Sequence, residues 1–203
     1  MLEDIKRVAE DVIGLRKPSR EELDGLVRAK EPKIFRFEDD GFIPNHPAWP
    51  VLLYLSAVRL PLNRDPAAVF EVLFESNGWG DTWRGGIYDF VHYHSRIHEA
   101  LAVARGTARL QFGGPFGKVI TVKAGDVAVL PAGTGHQCLS ASKTFLAVGA
   151  YPPSGAYDEC KNVELRKYAK LTIPKTPRPE HDPIHGSDGP LLDLWKRRKR
   201  ASR

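Results

Sequence analysis

Residues 86–106, GIYDFVHYHSRIHEALAVARG, hold three of the seven histidines in the chain, and a glutamate follows the third of them. His92 and His94 are two apart, so on an extended backbone they point to one face, together with Tyr88 and Phe90. If Ser95 to Ile97 turn the chain, Glu99 opens the next strand on the face of Leu101 and Val103, which are apolar and therefore inner. A carboxylate on an inner face is costly unless it is paired or bound to a cation. Two imidazoles and one carboxylate on facing strands suit a first-row divalent metal. His98 has the opposite parity. It is expected to face outward, partly exposed, and becomes an alternative ligand only if the turn is shorter. A fourth candidate is His136, where the strand around Val127 and Val129 meets a tight turn at Pro131-Ala-Gly133 and returns. Cys138 shares the parity of His136, and with Tyr88, Phe90 and Gln111 it is expected to line the same pocket.

The elements that must position these residues are short. After Gly86 the pattern predicts strands over 87–94, 99–104, 107–112, 117–122, 126–130, 136–140 and 144–149, separated by turns rich in Gly, Pro, Asp or Ser. Val51 to Leu55 reads as a buried strand. One helix interrupts, with Asp65 as N-cap, Pro66 at its first position and Asn77-Gly78 as its stop. Residues 1–30 read as helical: Leu2, Ile5, Val8, Ala9 and Val12 recur at helical spacing, Lys17-Pro18 interrupts, and Ser19-Arg-Glu-Glu22 is a capping box that starts a second helix. From Pro174 onward prolines are dense, which predicts an extended tail with His181-Asp-Pro-Ile-His185 on its surface. Trp79 and Trp83 are expected to pack beside the entry to the site strand. Gly113-Gly-Pro-Phe-Gly-Lys118 lacks the length and the hydroxyl of a phosphate loop and reads as a hairpin turn.

Composition narrows the function. At 203 residues, with 42% hydrophobic and 27% charged residues, the chain fits one domain with extensions. The net charge of +5 is a property of the end: Lys196 to Arg203 carries six positive charges, and without it the remainder stands at −1. The body is therefore not a nucleic-acid binder by charge, and the tail offers at most a weak phosphate contact. The apolar runs are too short to span a bilayer, and the N-terminus has no apolar signal region. Cys138 and Cys160 alone make no disulfide scaffold. These features predict a cytoplasmic protein with reduced thiols.

The spacing Gly86, five residues, His92-x-His94, four residues, Glu99, six residues, Gly106 resembles the first motif of the cupin superfamily. Gly125, five residues, Pro131-x-Gly133, two residues, His136 resembles the second, whose closing Asn is Ser140 here. Asp39-Asp-Gly-x-Ile-Pro-Asn45, Phe70-Glu with Gly78-Trp79, Gly149-Ala-Tyr-Pro-Pro153 and Gly189-Pro-Leu-Leu with Trp195 are similar to the YjlB group of small single-domain cupins, over roughly residues 35–195. The resemblance implies an all-β fold, the cupin double-stranded β-helix or jelly-roll barrel. The residue patterns place an N-terminal helical extension (1–33) before this barrel (34–173) and a Pro-rich, basic, extended C-terminal tail (174–203) after it. It also implies one divalent transition metal ion (Fe, Mn, Ni, Co or Zn) held by His92, His94, Glu99 and His136, with two coordination positions open. The expected function is a metalloenzyme acting on a small chelating organic substrate, with oxygenase, isomerase and lyase unresolved and non-catalytic binding or sensing as the alternative. A homodimer is expected, with no membrane partner.

Overall fold

Alternation of large and small apolar side chains decides how the strands stack. The chain is described here by a computed structural model covering residues 17–161 and 163–196; the helical repeat from Leu2 to Val12 and the basic residues after Lys196 lie outside the described residues. Helix α1 (Arg20–Asp24) begins with the reciprocal cap read from the sequence: Glu22 N donates to Ser19 Oγ at 3.4 Å and Ser19 N to Glu22 Oε2 at 2.7 Å. Helix α2 (Pro66–Ser76) starts with Asp65 Oδ1 accepting from Ala67 N at 3.1 Å and stops at Asn77.

Six strands form one antiparallel sheet: β1 (Lys33–Phe35), β2 (Val51–Tyr54), β3 (Gly80–Gly85), β4 (Glu99–Arg105), β7 (Val127–Leu130) and β9 (Leu146–Tyr151), in the order β1-β2-β7-β4-β9-β3. A second antiparallel sheet is ordered β6-β5-β8, from β5 (Thr107–Phe112), β6 (Lys118–Lys123) and β8 (His136–Ala141). Val51, Leu53, Leu101, Val103, Ala128 and Leu130 of the large sheet pack against Ala108, Leu110, Phe112 and Val122 of the small one. This inner core lies on the face that the parity of Glu99 selects.

The reverse face of β4 differs from the expectation. Ala100, Ala102 and Ala104 are buried there beneath Phe70, Leu73 and Phe74 of α2. Their small side chains leave room for the aromatic residues above, so both faces of the large sheet are covered. His98, expected outward and partly exposed, is fully buried. Its Nδ1 accepts from Ala132 N at 2.9 Å and its Nε2 donates to Pro177 O at 3.0 Å, so both nitrogens are used and neither is left for a metal.

The expected extended C-terminal tail is also corrected. Helix α3 (Arg166–Thr172) and helix α4 (Pro190–Leu194) fold back with the segment between them. Asp182 is completely buried and accepts from Tyr54 Oη (2.5 Å), Ile184 N (2.8 Å), His185 N (3.1 Å) and Leu191 N (3.2 Å), which places the 181–185 segment in a packed turn rather than on an open surface. Trp195 is fully buried, stacked on Trp49 with ring centroids 5.3 Å apart. Proline density was misleading because prolines restrict the backbone without preventing burial.

His46 completes this stack, 4.5 Å from Trp49 and nearly parallel to it. Its Nδ1 accepts from Trp49 N at 2.8 Å and Ala48 N at 3.2 Å. Burial, and then the nearby His98, push its pKa down to about 3. The unfolded chain takes up a proton near pH 6.5 that the folded chain refuses. Folding stability is therefore unaffected by His46 above that pH and falls as the pH drops toward about 3. We expect thermal stability to decline from pH 7 to pH 5. His46→Asn, which keeps a side-chain acceptor but does not titrate, should flatten that decline by up to about 1.4 kcal/mol per pH unit. Identical slopes in wild type and variant would refute this account.

Candidate metal centre

One loop, carrying His92 and His94, and the first residues of two strands, Glu99 of β4 and His136 of β8, bring the predicted residues together. The expected strand 87–94 is not a regular strand: only His92 and Tyr93 make bridges, to His136 and Cys160. His92 N donates to His136 O at 3.2 Å and His136 N to His92 O at 2.9 Å, so the backbone itself joins the two motifs. The turn before β8 needs its glycine. Gly133 has φ +90°, and a Cβ there would lie 2.6 Å from Ile173 and 3.0 Å from Asn45 O. The same turn is fixed to the first motif by Gly133 N donating to His94 O at 2.7 Å.

The ligand atoms of His92, His94 and His136 lie within 4.8 Å of one another, and all three residues are buried. Glu99, at the start of β4, points the same way: its Oε2 is 3.2 Å from His136 Nε2 and 3.4 Å from His94 Nε2. The other ring nitrogen of each histidine meets a backbone carbonyl. His92 Nδ1 faces Phe90 O at 3.3 Å, His136 Nδ1 faces Thr134 O at 3.0 Å, and His94 Nδ1 meets Asp158 O. Donation at Nδ1 fixes the tautomer and leaves the Nε2 lone pairs of His94 and His136 aimed toward Glu99. Asp158 is itself held in place, because its carboxylate accepts from Ser95 N (2.8 Å), Ser95 Oγ (2.6 Å) and Arg96 N (3.2 Å).

The buried carboxylate and imidazoles also act strongly on one another's protonation. Burial opposes a charge on Glu99, but the His94 and His136 imidazoles outweigh it and hold the carboxyl well below the usual range. Burial, followed by the neighbouring His136 and His94, pushes His92 down to about 3. For His94, burial acts in the opposite direction and the Glu99 carboxylate overcomes it, raising the pKa. The buried Glu99 Oε2 has no hydrogen-bond donor. An anionic oxygen left unpaired beside imidazole nitrogens whose far sides are occupied fits a bound divalent cation.

The four residues open onto a cavity of about 330 Å³ whose walls include Trp83, Arg84, Tyr88, Leu101, Tyr151 and Tyr157. Of the expected lining residues only Tyr88 is among them. Phe90 stacks on Tyr88 at 4.7 Å with the Lys161 ammonium 4.5 Å from its ring. Gln111 lies on the outer face of β5, bonded to Pro115 O and Gln137. Cys138 packs against the inner core. Trp83 belongs to the cavity, whereas Trp79 is buried core. Tyr151, Tyr157, Arg84 and Asp158 were missed. Tyr151 stands in the Gly149-to-Pro153 stretch already singled out, but its role depends on the pairing of β9 with β4, which the sequence does not state. Arg84 is cationic but engaged: it contacts Glu71 at 2.5 Å and Asp65 at 2.6 Å.

A family model described as a cupin domain matches residues 83–148. The chain is 38% identical over 167 residues to the uncharacterized protein YjlB of Bacillus subtilis (strain 168), covering 82% of this chain and 98% of that protein. Among solved structures, the TDP-fucose-3,4-ketoisomerase WlaRA of Campylobacter jejuni shares 13% identity, with 70% of this chain and 95% of that one covered and a TM-score of 0.37. An uncharacterized double-stranded β-helix protein from Klebsiella pneumoniae shares 18% identity, with 69% and 93% covered and a TM-score of 0.33. Likeness at these scores supports no assignment of activity.

Proposed function

Since the chain belongs to the cupin family, in the group of YjlB, we propose that it binds one divalent transition metal ion through His92, His94, Glu99 and His136 and receives a small organic ligand in the adjoining cavity. The observation that carries this reading is the buried, donorless Glu99 Oε2 facing two imidazole nitrogens whose rings are fixed from behind. A bound ion of this kind would supply Lewis-acid polarisation of a chelating oxygen. The chain's own part is to orient and to exclude water. The backbone carbonyls fix the imidazoles, Leu101 and Trp83 form apolar wall, and Tyr88 and Tyr157, each about half exposed, flank the opening. Fe, Mn, Ni, Co and Zn all suit the donor set.

We favour a metalloenzyme, with oxygenase, isomerase and lyase as the chemistries such a site serves. One observation supports non-catalytic binding or sensing instead: among the described residues lining the cavity Glu99 is the only carboxylate, so no second carboxyl group stands ready to move protons. We further propose a cytoplasmic homodimer. Both described sheets have edge strands to cover, both cysteines are free, and among the described residues no helix is long and apolar enough to cross a membrane. The test is metal titration of chelator-treated full-length protein with each of the five ions, followed by metabolite screening. One tight equivalent per chain is expected; no tight binding of any ion refutes the reading. Turnover selects the enzyme, and ligand binding without turnover selects the sensor.

A further inference from the structure

The stretch Gly149-Ala-Tyr151 lies on β9 beside the four candidate ligands. Ala100 pairs with Ala150 across β4 and β9, so Tyr151 stands opposite Glu99. Tyr151 Oη donates to Glu99 Oε1 at 3.0 Å, and in turn accepts from Trp83 Nε1 at 3.2 Å. The indole reaches it by lying across Gly149, its partner in the β3–β9 register. A Cβ at Gly149 would fall 2.1 Å from both Trp83 Cε2 and Nε1, so only glycine leaves the ring where it is. Gly149 does not have a positive φ, so this is a requirement for space and not for backbone freedom.

We propose that Trp83, Gly149 and Tyr151 form a positioning relay that commits Glu99 Oε1 to a phenol and leaves Oε2 as the single oxygen offered to a metal. The proposal rests on the metal reading of the site. The two oxygens of Glu99 are observed in different states: Oε1 has a donor, while Oε2 is buried without one. A carboxylate held this way cannot rotate to present both oxygens without breaking the phenol hydrogen bond. The tyrosine is 8% exposed and its hydroxyl has partners on both sides, so the arrangement is rigid rather than incidental. Tyr151 is therefore a positioning residue that acts through Glu99.

The experiment is a titration of metal-free full-length protein with Co(II) alone, recording affinity and the visible ligand-field spectrum. For Tyr151→Phe we expect affinity to fall about tenfold, the low end for loss of a partner behind a ligand, and the spectrum to shift as Glu99 is released. Trp83→Phe and Gly149→Ala should shift the spectrum in the same direction by a smaller amount. A Tyr151→Phe spectrum superimposable on wild type, whether or not affinity changes, overturns the proposal. If Tyr151→Phe does not fold, the other two variants decide it by the same spectrum. Wild type that binds no Co(II) overturns the underlying metal reading instead, so the two failures are distinguishable.

Discussion

His136→Ala is expected to lower metal affinity by more than about a hundredfold while leaving the fold intact. Loss of an outer partner behind a ligand already costs roughly 10–100-fold, and this change removes a ligand outright. Alanine also leaves Glu99 Oε2, now 3.2 Å from the His136 ring, with only His94 opposite it. The backbone pairing of residues 92 and 136 involves N–H and C=O groups only, so β8 should remain paired. Calorimetric titration of the chelator-treated variant measures the effect, with circular dichroism as the control for folding. His46→Asn, outside the cavity, should keep wild-type affinity. An alanine variant that binds metal within threefold of wild type would remove His136 from the site.

Trp195→Ala should cost about 3–5 kcal/mol of stability, the usual range for truncating a fully buried aromatic residue. The ring is 0% exposed, stacks on Trp49, lies 5.0 Å from His98, and donates from Nε1 to Pro50 O at 2.9 Å. A domain of this size has only about 5–15 kcal/mol in total, so the urea midpoint should fall markedly. A loss below about 1 kcal/mol would mean that the C-terminal segment is dispensable, against the burial seen here.

The sequence was most legible where spacing is local. β5 was read at its observed limits, and β4, β6, β7, β8 and β9 were displaced by at most two residues at either end. The caps at Ser19 and Asp65 were named from the residues alone. Within the first motif the same parity rule gave Glu99 an inward side chain. It failed for His98 because it divides a strand into core face and solvent face, whereas both faces of β4 are covered. What covers the second face comes from residues 66–76 and 181–195, and nothing in the 99–105 pattern reveals so distant a partner. Tyr151 and Asp158 were missed for the same reason. Each meets the site through a contact spanning more than fifty residues, which depends on strand register and loop docking.

The carbonyl of Asp158 that holds His94 has a consequence for how the protein is made. His94 leaves the ribosome 64 residues before its acceptor, and at about 5–20 residues per second this interval lasts roughly 3–13 s. During that time both motifs are synthesised, yet the His94 ring has no acceptor behind it. Completion of the centre therefore belongs to the late part of translation, after the β9 strand and the loop that follows it have emerged. A nascent chain stalled before Asp158 would expose the histidines without the geometry that selects an ion.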